Sequence, residues 1–171
     1  FRLCLGLITG TTPAYLRKPK GFIMTTPATE RGTARLSYDD VMQYYNRGYC
    51  VLPNALAAEQ LELLRGGCQK SIDLIHEAFD ARGVDEVGID RRGARYFPNH
   101  PSKLFPELYD FIYSEVMLDA LRKILGTDVY IAWEQYVVKM AASDSSFAWH
   151  QDSGYIPQEH DPYVTCWVAL D

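Results

Sequence analysis

His150 and Asp152 are the two residues of this chain whose types and spacing best suit a chemical role. On an extended backbone, residues i and i+2 project to the same side, so the imidazole and the carboxylate can reach one ion together. A facial Fe(II) site takes two histidines and one carboxylate and leaves the opposite positions open. The pair therefore predicts two ligands of a mononuclear iron centre. The alternatives are a hydrogen-bonded His–Asp pair at a loop mouth and a site for another divalent metal.

The third ligand of such a centre is not evident in the sequence. His76 lies in a predicted helix, His100 precedes the predicted sheet, and His160 lies in a predicted loop. We therefore expect structural or surface roles for these three side chains, and a third ligand beyond Asp171.

An aromatic and β-branched part of the sequence supplies the elements that must position the pair. Asp128–Met140 predicts a long strand, because such residues are enriched in strands. A short strand is predicted to lead into the His-x-Asp pair, between a polar loop at 141–146 and a second loop at 153–162. Tyr163–Leu170 predicts a further strand.

The sequence before the long strand is mainly helical in pattern. Ser37 fits an N-cap with acidic residues in the first turn. Apolar residues recur at helical spacing from Ala57 to Ala81, with an interruption at Gly66–Gly67. Helices followed by strands predict an α+β domain with a sandwich or barrel core. The predicted elements are helices over 37–45, 57–81, 106–111 and 115–125, a strand over 49–53, and a loop over 82–103 with a short strand at 94–97.

Composition limits the possible classes of function. The chain has 171 residues, is 47% hydrophobic and has a net charge of −5, which fits one globular domain and argues against nucleic-acid binding. Its four cysteines form no C-x-x-C pair, so a zinc ribbon or redox dithiol is not indicated. We expect reduced thiols, a cytoplasmic location and no membrane span.

Residues 1–35 differ from the rest of the chain. Their first acidic residue is Glu30, and Thr, Pro and Gly are frequent among them, so we predict a leader or a disordered segment. An organelle transit peptide is one explanation, and translation that starts at Met24 is the explanation we favour. The folded domain is expected to cover 36–171.

Two parts of the sequence resemble the phytanoyl-CoA dioxygenase family. The run from Glu134 to Asp171, with EQYVVKM, AWHQDSGYIP and VTCWVALD, is the stronger match. The run SYDDVMQYYNRGYCVLPNALAAEQLELL resembles the N-terminal helix–strand–helix of that family. The resemblance implies N-terminal helices packed on a double-stranded β-helix, a cupin-like jelly roll that is incomplete in this chain. It also implies Fe(II), 2-oxoglutarate as co-substrate and O₂.

The resemblance also assigns roles to individual residues. His150 and Asp152 match the first two iron ligands. The carboxylate of Asp152 implies hydroxylation, because relatives that halogenate carry a small residue at this position. The distal histidine and the arginine that clamps the co-substrate are implied beyond Asp171. The residues that match or lie near co-substrate positions are Trp167, Gln135, Lys139, Arg95 and Tyr96.

The implied activity of the full-length protein is hydroxylation of an unactivated C–H bond in a small or lipid-like metabolite, with succinate and CO₂ as co-products. Residues 1–171 alone are expected to be inactive, because two protein ligands hold iron weakly. A non-catalytic jelly-roll binding scaffold is the alternative from a different class. We expect the loops at 84–97 and 153–162 to select a small-molecule substrate, with Arg91–Arg92 as candidates for binding an anionic one.

Overall fold

A computed structural model describes residues 2–9, 34–141, 146–157 and 162–171 of the chain. Within residues 2–9, Gly6 is the only position whose surroundings are described. The helices are α1 (Tyr38–Arg47), α2 (Ala58–Arg82), α3 (Pro101–Leu104), α4 (Tyr109–Ile112) and α5 (Glu115–Leu125), with 3-10 turns at Pro106–Leu108 and Asp152–Tyr155. The strands are β1 (Arg2–Thr9), β2 (Glu86–Val87), β3 (Asp90–Arg91), β4 (Arg95–Tyr96), β5 (Val129–Lys139) and β6 (Tyr163–Ala169).

The strands form one sheet in the order β2-β3-β4-β5-β1-β6. Neighbouring strands in the described part of the chain are antiparallel. The combination of helices with this sheet confirms the predicted α+β class. The closed double-stranded β-helix stays a prediction.

Strand β5 separates a buried face of the sheet from an open one. Glu134, Tyr136 and Val138 are each almost fully buried, whereas Trp133 and Lys139 on the opposite face are exposed. Side chains alternate between the two faces of a strand, so one face of β5 contacts the helices and the other faces solvent. The core packed against the buried face comes mainly from α2, α4, α5 and β5, and includes Leu64, Cys68, Ile72, Phe79, Leu108, Phe111, Ile112, Leu121, Tyr136 and Val138.

Local capping chemistry sets the ends of the helices. The Ser37 hydroxyl accepts a hydrogen bond from the Asp40 backbone N–H at 3.2 Å, and the Asp40 carboxylate accepts one from the Ser37 N–H at 2.8 Å. This reciprocal pair is a capping box, and it starts α1 where the sequence predicted. Gly48 ends α1 with a φ of 79°, a left-handed conformation that glycine adopts at little cost.

Two predicted strands are absent from the described residues. Residues 49–53 have no strand partner there, and Tyr49 and Val51 are exposed. The described residues 146–151 before Asp152 are also outside any strand. A strand needs a neighbour to pair with as well as suitable residues, and neither segment has one.

Residues 2–9 form β1, although the sequence predicted a leader or disordered segment over 1–35. Strand β1 lies between β5 and β6 and pairs with both, so its backbone groups satisfy hydrogen bonds on two sides. Met24 and the other residues from 10 to 33 lie outside the described residues. Among the described helices, even the long α2 lacks the apolar character that crossing a bilayer requires.

Candidate active site

A cleft of about 720 Å³ opens on the solvent-facing side of the sheet. Its walls come from the end of β5, from β6 and from the segment around His150, with Tyr44 of α1 at its margin. The cleft brings together four of the residues predicted to form the site: His150, Asp152, Lys139 and Trp167. Gln135, Arg95 and Tyr96 lie outside its lining.

The imidazole of His150 is oriented by the backbone beside it. Its Nδ1 atom lies 2.7 Å from the carbonyl oxygen of Ala148. A carbonyl only accepts hydrogen bonds, so Nδ1 carries the proton and donates. This tautomer leaves the lone pair of Nε2 free, which is the form in which histidine binds metals.

The carboxylate of Asp152 lies next to the free nitrogen of His150. Asp152 Oδ1 is 3.4 Å from His150 Nε2, and Asp152 Oδ2 accepts a hydrogen bond from the Thr165 hydroxyl at 3.3 Å. Gln151 between them is extended, with φ −109° and ψ 127°, so the two side chains project to the same side as predicted. Asp152 then begins a 3-10 turn, and the Gly154 N–H donates to the Gln151 carbonyl at 3.0 Å.

This donor pair fits one metal ion. An imidazole nitrogen and a carboxylate oxygen each bind a divalent metal at about 2.1 Å, so two neighbouring ligands lie roughly 3 Å apart. The observed 3.4 Å is close to that separation. Among the described residues, no group of three or more His, Cys, Asp or Glu side chains surrounds a single point. The described part of the chain therefore supplies a pair of candidate ligands.

The other histidines lie apart from this pair. His76 Nε2 is 2.8 Å from the Tyr96 hydroxyl, on the helix side of the sheet. The His100 ring packs edge-on against Trp133, with 4.6 Å between ring centroids, and burial lowers the pKa of His100 below its usual value. His160 lies outside the described residues.

Aromatic rings surround the mouth of the cleft. Trp149 is fully exposed and Trp167 is half exposed. Tyr155 packs edge-on against His150 with 5.7 Å between ring centroids. The Lys139 ammonium lies 4.6 Å from the centroid of the Phe147 ring, a cation–π contact that holds the charge at the margin of the cleft.

The three predicted residues outside the cleft lining have other contacts. Gln135 donates from its amide to Asn99 Oδ1 at 2.6 Å. Arg95 donates to the Ile89 carbonyl at 2.7 Å. Tyr96 is buried, and its hydroxyl accepts from the Gly93 N–H at 2.6 Å. A role for Gln135, Arg95 or Tyr96 in co-substrate binding stays a prediction.

Sequence reasoning missed Thr165 and Phe147 as parts of the site. Thr165 precedes Trp167 by two residues, so strand periodicity places both on one face of β6, and this signal could have identified it. Phe147 reaches Lys139 and Phe97 from a segment without regular structure, and no periodic pattern indicates that placement.

The model of the phytanoyl-CoA dioxygenase (PhyH) family matches residues 44–171. The chain belongs to this family, whose members are generally 2-oxoglutarate-dependent dioxygenases that use Fe(II). Comparisons with curated proteins and with solved structures gave no match.

Proposed function

We propose that this chain supplies His150 and Asp152 as two ligands of an Fe(II)- and 2-oxoglutarate-dependent dioxygenase. The proposed reaction hydroxylates an unactivated C–H bond of a small or lipid-like metabolite and converts 2-oxoglutarate and O₂ to succinate and CO₂. The observation that supports it is the pairing of His150 Nε2 with Asp152 Oδ1 at 3.4 Å, in a chain of this family.

The residues of the cleft prepare this chemistry before any ligand binds. The Ala148 carbonyl holds the His150 ring in the metal-binding tautomer, and the Thr165 hydroxyl holds one oxygen of Asp152, leaving the other to face Nε2. Bound Fe(II) supplies the activation of O₂, with 2-oxoglutarate as the reductant. Lys139 offers an ammonium to a carboxylate, and Trp167 offers a ring face within the same cleft.

A metal titration tests the ligand assignment directly. Co(II) is a suitable probe because its visible absorption reports the number and type of its ligands. We expect His150→Ala and Asp152→Ala each to weaken Co(II) binding by at least about tenfold, since each removes a donor. His100→Asn is the matched control, because asparagine tolerates the left-handed φ of 52° at that position. Affinities of the two ligand variants equal to that of the control would overturn the proposal.

Succinate release addresses the reaction itself. We expect little or no 2-oxoglutarate turnover by the 171-residue chain, because two protein ligands hold iron weakly. Robust turnover by this chain would show that the described donors suffice. Metal binding that requires His150 and Asp152, with no turnover even after a distal histidine and a basic clamp are supplied, would favour the non-catalytic scaffold.

A further inference from the structure

Four strands place charged residues in one row across the sheet. Glu86 of β2 pairs with Arg91 of β3, Arg91 pairs with Arg95 of β4, and Arg95 pairs with Lys139 of β5. Residues directly opposite each other in antiparallel strands project from the same face. The row therefore crosses the open face of the sheet and ends at Lys139, which lines the cleft. We call these four residues the basic row.

The basic row contains more positive charge than its own contacts neutralise. Arg95 lies 3.5 Å from Glu86 and donates to the Ile89 carbonyl. Arg91 is exposed and forms no ion pair with any described residue. Like charges on directly opposite residues destabilise a sheet, and three cations here adjoin one carboxylate in a chain whose net charge is −5. An anion would relieve this repulsion.

Arg92 shows that the same hairpin neutralises a cation when it faces the other way. Its guanidinium donates to Asp85 at 2.8 Å and also pairs with Asp80. It lies over the Phe79 ring on the helix side of the sheet, 5.4 Å from the ring centroid. The sequence suggested Arg91–Arg92 as a joint anion site, but strand alternation sends them to opposite faces. Arg91 is thus the arginine left available.

We infer that the basic row binds an anionic group, a phosphate or a carboxylate, on the remote end of the ligand that occupies the cleft. This inference rests on the proposed function, because it assumes a ligand in the cleft beside His150 and Asp152. Lys139 connects the two sites, since it belongs to the row and lines the cleft. Guanidinium groups match the planar, bidentate geometry of both phosphates and carboxylates. The ligand is therefore an elongated molecule with an anionic end.

Calorimetric titration with inorganic pyrophosphate tests the basic row. The titration uses buffer stripped of metal ions and low ionic strength, because salt screens exposed charges. We expect Arg91→Gln to weaken pyrophosphate binding about fivefold, the effect of one charge at about 4 Å in water. We expect Glu86→Gln to tighten it by a similar factor, because this variant removes the one carboxylate of the row.

Control variants separate this inference from general charge effects and from the metal site. Arg122→Gln makes the same charge change on exposed α5 and should leave pyrophosphate affinity unchanged. His150→Ala should also leave it unchanged, so failure of the metal proposal and failure of the basic row are distinguishable. Equal affinities for Arg91→Gln and Arg122→Gln, or no tightening in Glu86→Gln, would overturn the inference.

A parallel titration with citrate identifies the preferred anion. Tighter binding of pyrophosphate than of citrate, lost in Arg91→Gln, supports a phosphate-bearing ligand. The reverse order, also lost in Arg91→Gln, supports a carboxylate-bearing one. Absence of binding for both probes would overturn the inference.

Discussion

Thr165 controls how Asp152 presents its carboxylate to the cleft. Its hydroxyl donates to Asp152 Oδ2 at 3.3 Å, while Oδ1 faces His150 Nε2. Residues that hydrogen-bond to metal ligands orient them, and their loss typically weakens metal binding by about 10- to 100-fold. The placement of Thr165 makes it a positioning residue for the proposed centre.

We therefore expect Thr165→Val to weaken Co(II) binding about tenfold and to alter the visible spectrum of bound Co(II). Thr165→Ser keeps a hydroxyl and should restore both properties, whereas a purely structural role on β6 would not require the hydroxyl. Co(II) titration of the three proteins makes the comparison. Wild-type affinity and spectrum in Thr165→Val would refute the positioning role.

At the scale of elements, Glu134 joins β5 to α3. Its Oε1 accepts hydrogen bonds from the Ser102 backbone N–H at 2.7 Å and from the Ser102 hydroxyl at 2.5 Å. Its Oε2 is buried and has no hydrogen-bond partner among the described residues. Burial raises the pKa of Glu134 above its usual value, against the opposing effects of Ser102 and Lys103.

The raised pKa of Glu134 gives the fold a pH dependence of known sign. The folded state binds the proton more tightly than the unfolded chain does, so the free energy of unfolding falls as pH rises from the unfolded pKa through the folded pKa. We expect Glu134→Gln to remove this fall, because the amide oxygen can still accept from Ser102 without a buried charge. Chemical denaturation between pH 4 and pH 8 measures the difference.

Glu107 provides the matched control for this measurement. Hydrogen bonds to its own backbone N–H and from Lys70 lower its pKa, so Glu107→Gln should lose a small amount of stability, and only at pH above the folded pKa of Glu107. Its contribution is that of an exposed pair, up to about 1 kcal/mol. A Glu134→Gln variant with the wild-type pH dependence would mean that the Glu134 carboxyl titrates alike in the folded and unfolded chains.

The elements that the sequence predicted well are those set by local chemistry. The capping box at Ser37 and the left-handed Gly48 bound α1 through contacts within a few residues. Gly66–Gly67 misled the prediction for α2, since the helix continues through both residues. A Cβ at Gly67 would lie 2.8 Å from side-chain atoms of Leu108 and Tyr136, so this glycine permits close packing of α2 on β5.

Strict alternation along β5 also failed, for a reason that the sequence does not contain. The register with β1 skips Ala132 between Trp133 and Ile131. A bulge of this kind reverses which face later side chains occupy. Ile131 therefore packs against the core, although the pattern assigned it to the same face as exposed Trp133.

The site divides in the same way between local and distant information. His150 and Asp152 are two residues apart, so their type and spacing sufficed to pair them. The contact of Thr165 with Asp152 depends on where β6 joins the sheet, and the basic row depends on three strand registers. Those registers arise from long-range pairing, which a single sequence does not specify.

At the scale of the whole molecule, β1 connects the two strands that build the cleft. It pairs with β5 over Arg2–Thr9 and with β6 over Arg2–Ile8. Gly6 lies under Tyr163, a residue of the cleft, and a Cβ at Gly6 would collide with the Tyr163 hydroxyl. The described fold therefore requires the first residues of the chain, which a leader would not.

Deleting residues 1–9 tests this arrangement. Without β1, the facing edges of β5 and β6 lose their partners and become open to pairing with other chains. We expect backbone amides of both strands to lose at least about tenfold in protection from hydrogen exchange, and the protein to associate at high concentration.

The other edge of β5 gives an internal reference in the same experiment. The Tyr136 N–H donates to the Pro98 carbonyl at 3.1 Å and the Met140 N–H to the Ala94 carbonyl at 2.9 Å, so both amides should stay protected. Gly6→Val should reproduce the deletion in part, because its side chain would displace Tyr163 or unpair β1. If deletion left exchange in β5 and β6 unchanged, residues 2–9 would be dispensable for the sheet, as the leader prediction implies, and the cleft would have to be held together by the helices behind it.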